Sequence, residues 1–325
     1  MPENSSPKSL TTDITDIHAT LDHPHLERIP NMRQSQFIKI ATAAAAIVLA
    51  ATGCGASDTG QGTSAAPVVQ NVSFPAGTTM NRVVNDGKLR VGGKFDLPGL
   101  SQKNLSGKME GFEVSIVNYI AGQLGLKPEQ VEWTETSSAN REQFIQQDKV
   151  DMVVSSFTIN DKRKKVIDFA GPYAKISADL LVAKGNPKGI KDPATPAGVV
   201  VCGTSGGSVV ASIRENFPTV NLVEFDVASK CIEAIKNGQV DAYATDGPIG
   251  AGYVSVDKEK LQMLGIELGQ PGYWGIGLSK GDTEFCKFLD DSLKKFGSDG
   301  SYKNAWNAYL GAAKEQQLPT LDACS

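Results

Sequence analysis

Histidine is nearly missing from this chain of 325 residues: His18, His23 and His25 lie near its start and none follows. Everything after His25 therefore lacks the ring needed for a Ser-His-Asp triad, a Cys-His pair or a histidine metal site. An excess of one charge is missing too. Lys and Arg number 32 against 36 Asp and Glu, a net charge of −4, which gives no electrostatic reason to expect nucleic acid or an anionic membrane surface as partner. Long apolar runs are scarce. The run at residues 40–51 is too short to span a membrane.

That run has another reading. It follows Met32, Arg33 and Lys39 and ends in small residues before Cys54, the pattern of a signal peptide. Thr52-Gly53-Cys54 is similar to the lipobox of bacterial lipoproteins, although Ala51 stands where Leu is usual. Lipidation at Cys54 is the expectation, with a simple signal-peptidase site as the alternative. Residues 1–31 are either an over-extended gene start or a long leading region. The exported part then keeps four cysteines, Cys202, Cys231, Cys286 and Cys324. An even set in an oxidising compartment reads as disulfides. Cys202–Cys231 with Cys286–Cys324 is the preferred one of the three possible pairings, since the second bond would tie down the tail.

Residues 55–70 are rich in Gly, Ser, Thr and Ala without periodicity, the composition of a flexible tether, and order is expected from about Ser73. Thr79 is placed as the cap of a short helix over residues 80–86, ended by Gly87. Phe112, Val114, Ile116, Val117, Ile120 and Leu124 form a helical stripe, and "VEWTE" and "VDMVVSS" read as strands around the helix "ANREQFIQQDK". The alternation restarts with "DLLVAKG", "GVVVCGT", "NLVEF" and "VDAYATD" as strands, "YWGIGLSKG" as a further one, and helices at 282–296 and 302–310. The fold class is α/β with largely parallel sheets, in two similar halves. Ligands of such sheets sit beyond the carboxyl ends of the strands. Two near-copies, "KVDMVVSS" and "QVDAYATD", deliver Ser156 and Asp246 to such ends.

Around those ends lie the groups that carry chemistry. In "SFTINDKRKK", Ser156 and Thr158 offer hydroxyls and Arg163 can fork onto a carboxylate, while Lys162, Lys164 and Lys165 read as surface charge. "TSSANREQF" sets Ser138 and Arg141 at a helix start, where an anion is favoured, although a capped helix with an exposed Arg is the commoner outcome. "VGGKFDLPG" puts Lys94 and Phe95 at a strand end. "CGTSGGSVV" is a turn able to cradle an anion, without the Gly-Lys-Thr/Ser of a P-loop. Asp246 suits an ammonium group, or else caps the helix beginning at Pro248.

Those stretches in their order, with "GFEVSIVNYIA" and "DGSYKNAW", resemble the family-3 solute-binding proteins of ABC importers for polar amino acids, from about Gly87 to Leu310. Within that family the likeness is to the glutamate/aspartate-binding lipoproteins of actinobacteria, including the Cys202 and Cys231 positions. The resemblance implies a two-lobed periplasmic-binding-protein (type II) fold with two hinge strands. Residues 1–53 would be leader and signal peptide, 54–72 the lipidated N-terminus and tether, 73–176 and 273–325 lobe 1, and 177–272 lobe 2. By the same resemblance Arg163 and Thr158 hold a ligand α-carboxylate, and Asp246 with Ser156 holds the α-ammonium. Ser138 and Arg141 meet a side-chain carboxylate, and Lys94 falls where the acidic-ligand subgroup has a basic residue. Gly207 stands where a hydroxyl is often found, beside the lobe-2 contacts Ser205, Gly206 and Ser208.

The reading is a monomeric binding protein, anchored on the outer face of the cell membrane through the lipid on Cys54. It captures L-glutamate or L-aspartate, with asparagine open, for an ABC permease or a membrane sensor, and uses no cofactor and no metal. Glutamine or another polar amino acid is the alternative ligand. An enzyme on the same fold, a cyclohexadienyl-dehydratase-like protein or a peptidoglycan lyase, is the alternative of another class. Against it stand the missing histidine, the missing nucleophile elbow and the lack of evident paired acids.

Overall fold

The computed structural model describes residues 67–311, 313–322 and 324. The stretches up to residue 66, read as a signal peptide and a tether with Cys54 between them, lie outside the described residues. The chain is held before Ser73 is reached: the Val69 N–H donates to the Gly122 carbonyl at 2.9 Å. Helix α1 (Thr79–Asp86) is capped by Thr78, one residue earlier than read from sequence. Thr78 has extended backbone angles and its hydroxyl accepts from the Asn81 N–H, whereas Thr79 donates to Asp282 Oδ2 at 2.6 Å. Gly87, at φ 64°, ends the helix as expected.

Lobe 1 continues with β1 (Leu89–Gly93), then a small antiparallel sheet of β2 (Asp96–Leu97), β3 (Ser101–Lys103) and β4 (Met109–Glu110). Helix α2 (Phe112–Gln123) buries its apolar stripe and most other positions, so it sits inside the lobe rather than on it. Strand β5 (Val131–Glu135), helix α3 (Arg141–Gln146), strand β6 (Met152–Val153) and helix α4 (Asp161–Lys164) follow. Strand β7 (Asp168–Ala183) then leaves the lobe. Lobe 2 adds β8 (Val200–Thr204), α5 (Ser208–Asn216), β9 (Asn221–Phe225), α6 (Ala228–Lys236), β10 (Ala242–Asp246), α7 (Gly247–Val256) and β11 (Leu261–Met263). Strand β12 (Leu268–Leu278) returns to lobe 1, which α8 (Thr283–Ser298) and α9 (Ser301–Leu310) complete.

One sheet runs through both lobes in the order β5-β1-β6-β12-β7-β10-β8-β9, with β11 beside β7. The outer trios are parallel, while β7 and β12 pair antiparallel at the centre. These two are the hinge strands, each shared between lobes. "DLLVAKG" is therefore not a fresh strand but the end of β7, whose 16 residues are buried almost throughout. Breaks in the β7–β12 register, between Leu268 and Gly272 and between Trp274 and Ile276, fall where the chain crosses between lobes. One apolar cluster joins Leu97, Phe112 and Trp274 to Ile249 and Tyr253, so the two lobes share a core.

The cysteines pair as the preferred arrangement has it. Cys202–Cys231 ties β8 to α6, and Cys286–Cys324 ties α8 to the tail, with Cα atoms 5.8 and 5.9 Å apart, inside the ordinary range. The tail also laces onto β7. Gln316 accepts from the Lys175 N–H at 3.0 Å and donates to its carbonyl at 2.7 Å, and the Asp322 N–H donates to Gly171.

Candidate functional site

The repeated Val-Asp pair turns out to be a strand clamp. Asp151 donates its N–H to the Arg90 carbonyl and accepts the Arg90 N–H on Oδ2, both at 2.8 Å. Asp241 does the same to Val200, at 2.8 and 2.9 Å. In each lobe the carboxylate locks the start of a neighbouring parallel strand and so fixes where the chain emerges five residues later, at Ser156 or Asp246.

Asp246 ends β10 and occupies the cap position of α7, but its side chain does not cap the helix. Oδ2 accepts the Trp274 indole N–H at 2.9 Å, and Oδ1 is buried with no partner. Burial pushes this carboxyl above its ordinary value, against the pull of the Trp274 N–H and of Lys94, Arg141 and Arg163. Arg141 is 1% exposed. Its guanidinium lies 3.9 Å over the Phe157 ring, Nη1 donates to the Ser155 carbonyl at 2.9 Å, and Nε is buried without a partner. Burial, and then the charge of Arg163, bring it down to about 9, so it stays a cation at neutral pH. A buried donor and a buried acceptor left open in one cleft are costly unless something is meant to fill them.

Ser156 has φ 50°, a left-handed angle unusual for serine. The bend aims its N–H and its hydroxyl at Glu113 Oε1, at 2.6 and 3.0 Å. Glu113 also accepts from Tyr173 at 2.7 Å and from Ser101 at 3.1 Å. Because Ser156 spends its hydrogen on Glu113, its oxygen is left to accept, as an ammonium group requires. Glu113 is fully buried and was not singled out from sequence.

A cavity of about 30 Å³ lies between the lobes, lined by Lys94, Ser138, Arg141, Ser156, Thr158, Gly207, Ser208 and Asp246 of the residues read from sequence. Four others stand back from it. Phe95 packs under Lys103, whose Nζ is 5.3 Å from the ring centre. The Ser205 N–H is bound to the Phe225 carbonyl. Arg163 donates to Glu142 at 2.8 Å, to the Thr158 carbonyl at 2.6 Å and to the Gly206 carbonyl at 3.2 Å. Gly206, at φ +75°, meets lobe 1 backbone to backbone: a Cβ there would lie 2.7 Å from Ala139 Cα. Thr204, Tyr243 and Thr245 also line the cavity and were missed. The strand-end rule that picked Ser156 and Asp246 also points to Thr204, the last residue of β8.

The space is enough for a water or two. A larger ligand therefore enters only if the lobes part, breaking the Thr158–Ser208 hydroxyl pair (2.8 Å) and the Arg163–Gly206 bond. A second groove, of about 1070 Å³, runs behind the hinge strands along the tail, and no strand-end residue of the cleft reaches it.

Burial, and then Arg141, push Lys94 down to about 8. Affinity for a dicarboxylic amino acid is expected to fall about tenfold between about pH 7 and pH 9, as this cation is lost. Calorimetry checks this, with glutamine as control for titration of the ligand's own amine. Stability moves the other way. The unfolded chain keeps this proton up to the ordinary value of 10.5, so Lys94's contribution to stability rises from about 8 to 10.5.

Two lobes on a shared sheet, with opposed buried charges between them, define a two-lobed solute-binding protein of the type II periplasmic class. Residues 89–312 match the model of the bacterial extracellular solute-binding proteins, family 3, and the chain belongs to that family. It is 32% identical over 286 residues to the glutamate-binding protein GluB of Corynebacterium efficiens, covering 85% of this chain and 92% of that one. It is 30% identical over 234 residues to the ABC transporter glutamine-binding protein GlnH of Bacillus subtilis, covering 71% and 84%. The crystal structure of the solute receptor for L-cysteine of Neisseria gonorrhoeae superposes with a TM-score of 0.67 at 26% identity, over 72% of this chain and 94% of that one.

Proposed function

We propose that this protein captures an acidic amino acid, glutamate or aspartate, between its lobes and presents it to an ABC importer or a membrane sensor, without turning it over. The observation that carries this reading is the pair of open buried groups, Asp246 Oδ1 and Arg141 Nε, with Lys94 in the same cavity. Asp246 and the Ser156 oxygen would take the α-ammonium. Thr158 and Arg163, released from Ser208 and Gly206 as the lobes part, would take the α-carboxylate. The start of α5, which has no side-chain cap, adds backbone N–H groups of Ser208 and Val209 to that end, the Gly207 N–H being held by the Thr204 carbonyl. Ser138, Arg141 and Lys94 would take the second carboxylate. A neutral amide in its place leaves a desolvated cation unpaired, which disfavours glutamine and asparagine. A lipid on Cys54 would keep the lobes near the permease.

Calorimetry across the standard amino acids tests this. Glutamate or aspartate is expected to bind with a Kd near or below about 1 μM, worth about −8 kcal/mol, and glutamine at least about tenfold more weakly. Equal affinity for glutamine would overturn the acidic assignment, and no amino acid binding at all would overturn the whole reading.

A further inference from the structure

The lobes also meet at a place that the cavity does not reach. Helix α6 of lobe 2 begins after Val227, which offers no side-chain cap, so its leading N–H groups lack a local acceptor. The acceptor comes from the other lobe. Asp96, in β2 of lobe 1, takes the Ser229 N–H on Oδ2 at 2.9 Å. Tyr253, in α7 of lobe 2 and 5% exposed, donates its hydroxyl to the Asp96 carbonyl at 2.6 Å. Beside it Gly252 lies so close to lobe 1 that a Cβ would stand 2.1 Å from the Pro98 carbonyl oxygen. The Cys202–Cys231 disulfide holds the first turn of α6 to the lobe 2 sheet, so the capped end moves with that lobe. None of Asp96, Ser229, Gly252 or Tyr253 lines the ligand cavity.

The geometry points to a latch that sets how tightly the protein binds without influencing what it binds: Asp96 and Tyr253 hold the lobes closed, whatever amino acid lies between them. Only contacts that differ between open and closed forms shift that equilibrium. The latch differs fully, since parting the lobes returns Asp96 and the α6 N-terminus to water. Apparent affinity scales with the population of the closed form, so weakening the latch lowers affinity for every ligand by one common factor. Selectivity, which arises from Lys94, Arg141 and Asp246, stays where it was. The choice of ligands used to measure it rests on the proposed function; the latch itself does not.

Two variants of the full exported chain test it. Tyr253→Phe removes one hydroxyl and keeps the ring in place; Gly252→Ala inserts a methyl against Pro98. Kd values for glutamate, aspartate and glutamine are measured by calorimetry, and amide exchange at Ser229 is followed without ligand. Tyr253→Phe is expected to raise all three Kd values by the same factor, about fivefold for one lost hydrogen bond. Gly252→Ala is expected to raise them further, and Ser229 should exchange faster in both. Unchanged Kd values, or a factor that differs between ligands by more than about twofold, would overturn the latch. If the parent protein binds no amino acid, the exchange arm decides alone: unchanged protection of Ser229 in Tyr253→Phe overturns the latch, and faster exchange upholds it while the ligand reading falls separately.

Discussion

Asp246→Asn is expected to abolish amino acid binding and to raise the melting temperature together. Asparagine keeps the shape and can still accept the Trp274 N–H, so the hinge contact survives. What changes is the open position. An anion able to meet an ammonium group is replaced by an amide, which is neutral and can turn a donor towards it. Removing one partner of a buried charge pair costs about 3–5 kcal/mol, more than two orders of magnitude in Kd. Stability moves in the opposite sense. Burial raises the Asp246 carboxyl above its ordinary value despite three nearby cations. A group raised on folding stabilises the fold when protonated, and this contribution is lost as pH rises through its folded value. Burial therefore disfavours the charged form of Asp246 in the folded chain, and the neutral isostere carries no such cost. Calorimetry and a thermal melt on one preparation check both halves. Binding within about tenfold of the parent would remove Asp246 from the ammonium site.

Lys94→Met is expected to switch the preference of the cleft. Methionine fills much of the volume of the lysine stem and removes the ammonium. Glutamate and aspartate lose one of the two cations proposed for their second carboxylate, with Arg141 left, and should weaken by about two orders of magnitude. Glutamine should hold its affinity or gain, since its amide faces one desolvated cation, Arg141, instead of two. The variant should also be more stable without ligand, because the repulsion between Lys94 and Arg141 disappears along with the burial of a charge. Calorimetry with glutamate and glutamine reads the ratio, and a ratio like the parent's would show that Lys94 does not choose the ligand.

Much of the cleft was legible because it follows from local rules. Strands "VEWTE" and "NLVEF" have the bounds read from their sequences, and Asp246 ends β10 where strand polarity puts it, whereas "VDMVVSS" is a strand only at Met152–Val153 and Ser156 lies in the bend beyond it. The continuity of β7 was not legible. Only its end, "DLLVAKG", reads as a strand, and the rest is held by pairing with β12, which lies far along the chain. Thr78 and Thr79 are equivalent as caps until Asp282, far along the chain, engages one of them. Glu113 was invisible for a similar reason. A glutamate in the first turn of a helix reads as surface, and its burial is set by Ser101, Ser156 and Tyr173, from three separate segments. Arg163 was recognised as a residue, but its bonds to Glu142 and Gly206 depend on how α3 and lobe 2 approach it.

At Gly206 and Ala139 the jaws touch through peptide planes, with no side chain between them. At that spot the closed mouth is thus bounded by main chain and resists tailoring by substitution: a side chain at Gly206 would run into Ala139. What substitution can reshape lies in the side walls, at positions such as Lys94 and Ser138, whose side chains line the cavity.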